Sequence, residues 1–404
     1  MDLNFFLLNS LSNDNEVRKQ AEEGIKAASK KPEIIPQLLG IVQQHSEEMV
    51  RQLAAVLLRK NIGKYFKKLP AELKEPAKSL LLERIAIEPS HAVRRSVADA
   101  VGVLARQTLP SNSWPGLLEF LGNCSSSPEA GHREVALTLF ASLTTTVGDF
   151  LQPHVPSLLA VTLRGLKDPV SEVQLAAIEA MGALSSMVLS TAEVEAFHGL
   201  VGALLELGGA SLACHREQHL VKICQLLVDL NESGAPLLTK HLTSVVTFAM
   251  NVATAGSTTT NNKNNNNNNN NSNNNISLDV ETRRQALQVM LWVAKEKPKQ
   301  LAKHKDLIRE ITAALCRLAC ERDEEYLSNH NGSYTTFADE EEDDMPMCRY
   351  ADSALDSLTL SLPRAANAIV VQVVLDFARG AAASELVHIR EAAMRILAAA
   401  AGGR

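Results

Sequence analysis

The sequence predicts an all-α fold built as a stack of paired helices, and three observations carry that expectation. The first is the stretch Lys167 to Leu184. Asp168-Pro169 there cannot sit inside a helix, and Val173, Ala177, Ala180, Met181 and Leu184 then fall on one apolar stripe with Glu172, Gln174 and Glu179 off it. The second is recurrence: with Val173 as reference, comparable helix openings occur at Val17-Arg18, Val50-Arg51, Val93-Arg94, His132-Arg133, His215-Arg216, Thr282-Arg283, Cys348-Arg349 and Ile389-Arg390. The third is a small residue four positions on, at Ala21, Ala54, Val97, Ala136, Ala177, Ala286 and Ala393, with His219 and Asp352 as misfits. One such helix would leave its stripe wet, so the pattern makes sense only as units that bury one another.

The openings are separated by 33, 43, 39, 41, 42, 67, 66 and 41 residues. Removing about 25 residues from each of the two long gaps restores the roughly 40–47-residue period of HEAT-type helical hairpins. The expected architecture is a HEAT-repeat α-solenoid, a right-handed superhelix of about nine hairpins forming a single array over residues 1–404. Aromatic residues make up only 4% of the chain, which suits Ala/Leu-lined helix packing, and no Val/Ile/Thr alternation argues for a sheet.

Taken in order, Leu3 to Leu11 reads as a short apolar capping helix followed by Val17 to Ser29. Glu33 to Gln44 pairs with Glu47 to Phe66, and Ala71 to Ile87 with Ala92 to Thr108, divided at Glu88-Pro89-Ser90 with Ser90 as N-cap. Trp114 to Cys124 pairs with Ala130 to Thr146, Val155 to Leu166 with Ser171 to Val188, and Thr191 to Leu212 with Arg216 to Asn231. Pro236 to Ala253 reaches its partner, Asp279 to Glu296, only after an Asn-rich insertion at 256–277, too polar and too low in complexity to build a core. Asp306 to Arg322 is separated from Cys348 to Leu362 by an acidic insertion at 323–346, and Ala368 to Gly380 with Val387 to Ala401 closes the ninth pair. The chain ends without a charged capping helix, and solenoids need polar caps, so the sequence reads as part of a longer array.

The net charge of −6 is unevenly placed. Glu321 to Asp344 holds ten acidic residues and one Arg, ending in the uninterrupted run Asp339, Glu340, Glu341, Glu342, Asp343 and Asp344. Arg59 to Lys78 is the opposite, with seven basic and two acidic side chains. Six carboxylates in succession attract a Lys/Arg-rich partner and speed encounter more than they fix a pose, although a solvated linker has the same composition. The basic run reads in the same way, as a solvated helical face or as a surface for an acidic partner.

Six cysteines without C-x-x-C spacing point to a reducing compartment, the N-terminus lacks the basic start of a signal peptide, and no stretch of about 18 uninterrupted apolar residues occurs. Cys214, His215, His219 and Cys224 include common zinc-ligand types. However, Cys224 lies nine residues from His215, about half a turn around the helix, so neither metal nor cofactor is expected. No phosphate-binding Gly loop or nucleophile elbow is present, and solenoids offer long surfaces rather than deep pockets. Binding of macromolecules, not catalysis, is the expected activity. The acidic balance argues against nucleic acid as the partner.

The hairpin series, the N-terminal cap helix, the string Val50-Arg-Gln-Leu-Ala-Ala-Val-Leu-Leu-Arg-Lys-Asn61 and the acidic insertion in the eighth hairpin resemble the importin-β superfamily of nuclear transport receptors. The resemblance implies a protein shuttling between cytoplasm and nucleus, with an N-terminal importin-β-like region at about 1–110. It implies partners as well: Ran-GTP, basic cargo such as ribosomal proteins and histones, and nucleoporins, with neither membrane nor nucleic acid bound directly. By position, Arg51, Lys60, Asn61 and Arg94 would lie near Ran and the run Asp339 to Asp344 would meet Ran or cargo. The poly-Asn insertion departs from the family pattern. A HEAT-repeat scaffold for assembling other proteins is the competing reading.

Overall fold

The computed structural model describes residues 2–111, 113–232, 236–256, 278–322 and 345–402. The Asn-rich insertion beyond Gly256 and the acidic insertion up to Asp344 lie outside them, while Met345 and Pro346 are described. Among the described residues there are helices and turns and no strand. They form two compact units, Met1–Leu200 and Val201–Arg404.

The first unit carries α1 (Leu3–Asn9), α2 (Asn15–Ala28), α3 (Ile34–Gln44), α4 (Glu48–Tyr65), α5 (Ala71–Ile87), α6 (His91–Thr108), α7 (Gly116–Ser125), α8 (Ala130–Leu151), α9 (Val155–Leu166) and α10 (Ser171–Ser185). They pair as five hairpins, each an A helix followed by a B helix, and α4, α6, α8 and α10 pack successively as a layer of B helices. The predicted stripe of α10 is that core: Val173, Ala177, Ala180, Met181 and Leu184 are all buried. So is the small-residue column, Ala21, Ala54, Val97, Ala136 and Ala177, since a larger side chain there would hold successive B helices apart. Gly165 makes the same point on α9, because a Cβ on it would stand 2.8 Å from both Ala177 Cβ and Leu137 Cδ1.

Side chains that compete with the helical backbone set the helix starts. Asp14 accepts from the Glu16 and Val17 N–H groups, and Ser90 accepts from Val93 N–H as expected, each cap contributing about 1 kcal/mol. In this unit the largest departure from the sequence reading is the end of α8. α8 does not stop at Thr146; it bends at Val147 (φ −137°, ψ 33°), runs on to Leu151, and reaches α9 through a single 3-10 turn, Gln152–His154. No proline interrupts that stretch before Pro153, so nothing ends the helix earlier.

α11 (Thr191–Ala213) carries the division point, and the second unit continues with α12 (Glu217–Glu232), α13 (Leu242–Thr254), α14 (Val280–Glu296), α15 (Pro298–Leu301), α16 (Lys305–Leu318), α17 (Met347–Ser361), α18 (Arg364–Ala382) and α19 (Val387–Gly402). Its B helices α12, α14, α17 and α19 again pack in succession. The helix expected from Pro236 begins only at Leu242, after a 3-10 turn at Thr239–His241. Three helical spans, Ala130–Leu166, Thr191–Ala213 and Arg364–Ala382, are long and apolar enough by length and composition to cross a membrane, although each carries polar interruptions.

Candidate partner-binding surface

The recurring arginine that opens each B helix has a structural task visible in its hydrogen bonds. In five hairpins its Nη1 turns back onto the carbonyl six residues earlier in its own A–B turn. Arg18 donates to Ser12 O (3.2 Å), Arg51 to His45 O (2.9 Å), Arg94 to Glu88 O (2.9 Å), Arg133 to Ser127 O (3.0 Å) and Arg390 to Ser384 O (2.6 Å). In the fifth hairpin Gln174 replaces the arginine and makes the same bond to Asp168 O at 2.6 Å. Gln174 is therefore buried, although it lies off the apolar stripe.

At Arg51, Arg94 and Arg133 the rest of the guanidinium reaches into the next hairpin. Arg51 holds Glu88 through Nε (3.1 Å) and Nη2 (2.9 Å), Arg94 holds both oxygens of Glu134 at 2.7 Å, and Arg133 holds Asp168 through Nε (2.7 Å) and Nη2 (3.0 Å). Arg84 also binds Glu88, which is 1% exposed. Burial pushes the Glu88 carboxyl up, but hydrogen bonds from Arg51, Arg84 and Ser90 N–H outweigh it and leave the group below its ordinary value. Asp168 is lowered mainly by the hydrogen bond from Arg133. In the second unit Arg283 makes the corresponding bidentate contact with Glu321 (3.0 and 2.6 Å) and donates from Nε to Ala253 O (2.8 Å). These paired, planar contacts fix the orientation of one hairpin on the next.

These contacts determine which expected partner residues are open to a partner. Arg51 is buried against Glu88, and Arg94 is half-buried against Glu134. Asn61 is 2% exposed and donates to Leu57 O (2.8 Å) inside its own helix. Lys60, beside it, is exposed. Asp339, Glu340, Glu341, Glu342, Asp343 and Asp344 lie outside the described residues. Sequence reasoning missed the carboxylates Glu88, Glu134, Asp168 and Glu321. The signal for them was an acid 35 to 40 residues beyond Arg51, Arg94, Arg133 and Arg283.

The exposed face of the B-helix layer carries pairs of a different kind. Arg59 on α4 meets Asp99 on α6 at 3.1 Å, and Arg95 on α6 reaches Glu179 on α10 at 3.4 Å, all four side chains open to solvent to some degree. In the second unit Cys224 faces the core with its thiol pushed up to about 12 by burial, whereas Cys214 is exposed, so the two sulfurs meet different surroundings. Cys316 is likewise buried and pushed up to about 12, a core residue and not a reactive one.

Hairpins with successive B helices in contact and a recurring arginine, or Gln174 in its place, locking the A–B turn define a HEAT-type helical-repeat protein. Comparison with known proteins narrows the class. Residues 21–86 match the family model "Importin-beta N-terminal domain", and residues 89–248 match "IPO5-like, TPR repeats". Human importin-4 is 28% identical over 244 residues, which cover 59% of this chain and 22% of that protein. The probable importin-5 homolog of Dictyostelium discoideum is 28% identical over 209 residues, covering 49% of this chain and 19% of that protein. The crystal structure of Kap121p bound to RanGTP superimposes with a TM-score of 0.78 at 20% identity over 99% of this chain and 36% of that one. The chain belongs to the importin-β family and resembles importin-4. The match spans about a fifth of the length of each of these two relatives.

Proposed function

We propose that this chain acts in a nuclear import receptor that shuttles between cytoplasm and nucleus, binds basic cargo such as ribosomal proteins or histones, and releases it on binding Ran-GTP. The observation that carries the reading is the match of residues 21–86 to the importin-β N-terminal domain, on hairpins whose B helices expose charged side chains such as Lys60. In support, Kap121p, which has the same fold, is bound to RanGTP in a crystal structure. In this proposal Lys60 contacts Ran directly, while Arg51, Asn61 and Arg94 act by holding the helices that present the surface. Asp339 to Asp344 supplies the negative field that draws in Lys/Arg-rich cargo, and nucleoporins are further partners.

The test is capture of the purified chain on immobilised Ran loaded with a non-hydrolysable GTP analogue or with GDP. Binding to the GTP form alone is the expected result. A chain that melts cooperatively yet binds neither form would return the protein to the scaffold reading. Converting Asp339 to Asp344 into their amides should weaken histone binding and flatten its salt dependence.

A further inference from the structure

The basic run singled out in the sequence is only partly used by the fold. Arg59 is answered by Asp99, Lys78 donates to Glu75 (2.7 Å) and to Ser113 O (2.5 Å), and Lys74 donates to Lys67 O (3.1 Å). Lys60, Lys64, Lys67 and Lys68 are exposed, and none has a carboxylate at ion-pair distance among the described residues. Arg106, in the last turn of α6, is exposed and unanswered in the same way. It belongs to the same patch, because its neighbour Gln107 donates from Nε2 to Gly63 O (3.0 Å) and sets the end of α6 beside α4.

Part of the patch is held in place. The Nζ atoms of Lys64 and Lys68 lie 4.7 and 5.7 Å from the ring centroid of Tyr65, a cation–π arrangement that limits their motion. The ring is itself fixed, since Tyr65 is 5% exposed and its hydroxyl donates to Ser29 O (3.2 Å). Complementing the negative ends of α4 and α6 accounts for one cation in each last turn, Lys64 and Arg106. With Lys68 set over the Tyr65 ring, this leaves Lys60 and Lys67 with no structural task among the described residues.

We propose that the C-terminal half of α4, the turn after it and the last turn of α6 form a docking surface for an extended acidic segment of a partner protein. Lys60 and Lys64, four residues apart on a helix, are separated by about 6 Å along its axis. Alternate residues of an extended strand repeat at about 6.6 Å, so Asp or Glu at every second position meets successive lysines. A nucleic acid fits less well. Single strands need an open aromatic face for their bases, and Tyr65 and Phe66 are both buried here. None of its residues belongs to the run Asp339 to Asp344, and it does not rest on the transport reading, although it shares Lys60 with the proposed Ran contact.

The test uses fluorescence anisotropy of the whole purified chain with a labelled peptide of alternating Glu and Ser, about twelve residues long, at low and near-physiological salt. The unaltered chain should bind it, more weakly as salt rises. Lys60→Glu with Lys64→Glu should lower affinity roughly tenfold or more. Lys19→Glu with Lys26→Glu, the same charge change on exposed positions of α2, should change it less than about twofold. Lys67→Ser with Lys68→Ser lies beyond the end of α4, keeps the helix intact, and should also weaken binding. Absence of peptide binding at low salt, equal losses in the α4 and α2 variants, or tighter binding of an oligothymidylate of the same length would each overturn the proposal.

Discussion

The joints between hairpins in the first unit and the last joints of the second use the same kinds of side chain with opposite electrostatic results. In the first unit the opening arginine meets a carboxylate that has other donors too, and Glu88 and Asp168 are both held below their ordinary values. In the second unit Asp352 occupies the small-residue position of α17, and its partner is Arg395 of α19 (2.8 Å), with Arg349 further off at 3.5 Å. Its Oδ1 is buried with no hydrogen-bond partner among the described residues, and burial pushes the carboxyl above its ordinary value despite the adjacent guanidinium. A buried ion pair therefore stabilises a joint only when the remaining lone pairs are also satisfied.

The largest expected effect comes from breaking the best-satisfied joint. Glu88→Ala leaves Arg51 and Arg84 facing each other without an anion and should cost the first unit about 3–5 kcal/mol. The chain has two tryptophans, Trp114 in the first unit and Trp292 in the second, so urea unfolding of a Trp292→Phe background reports the first unit alone. Glu88→Gln, which keeps an acceptor, should lose distinctly less. A cost for Glu88→Ala below about 1 kcal/mol would remove the distinction between the two kinds of joint.

Next in size is the exchange at the less satisfied joint. Arg395→Met alone strands Asp352 and should cost about 3 kcal/mol, read through Trp292. Adding Asp352→Leu should recover most of that loss, because two apolar side chains of similar volume need no further donors. The corresponding apolar exchange at Arg51 and Glu88 should recover much less, since Arg84 would still be stranded there.

Acid sharpens the contrast with smaller effects. Glu88 and Asp168 have folded values depressed below the unfolded ones, so their contribution is complete above the ordinary carboxylate range and is lost as pH falls through the folded values. Asp352 is raised in the fold, so its contribution runs the other way, complete at low pH and lost as pH rises through its folded value. The urea midpoint reported by Trp114 should therefore fall more steeply below about pH 4 than that reported by Trp292. Asp352→Asn should reduce the difference.

Much of this architecture was legible because it repeats. The small-residue column and the 40-odd-residue rhythm recur in hairpin after hairpin, and burial of Ala21, Ala54, Ala136, Ala177, Ala286 and Ala393 is what they record. The opening arginines were legible as markers but not as joints. Their carboxylates come from turns (Glu88, Asp168), from a helix start (Glu134) and from beyond a helix end (Glu321), so no fixed spacing reveals them. Asp352 looked like a misfit because its partner, Arg395, lies 43 residues on, in a different helix. Among the expected site residues, sequence position separated Lys60 from Asn61 by one step, whereas the helix turns one outward and the other into the core.

The smallest expected effects belong to the exposed B-helix face, and their smallness follows from the same reasoning. Arg59 and Asp99 are 53% and 40% exposed as side chains, so water screens their attraction and each keeps most of its hydration when the partner is lost. Arg59→Ala should therefore cost the first unit less than about 1 kcal/mol, and raising the salt should erase even that. Arg95→Ala, which removes the contact with Glu179 two hairpins away, should behave alike. The pairs that contribute least to stability are the ones a partner can replace with its own charges at little cost. If Arg59→Ala proved as damaging as Glu88→Ala, the exposed face would have to be counted among the joints and not among the surfaces available for binding.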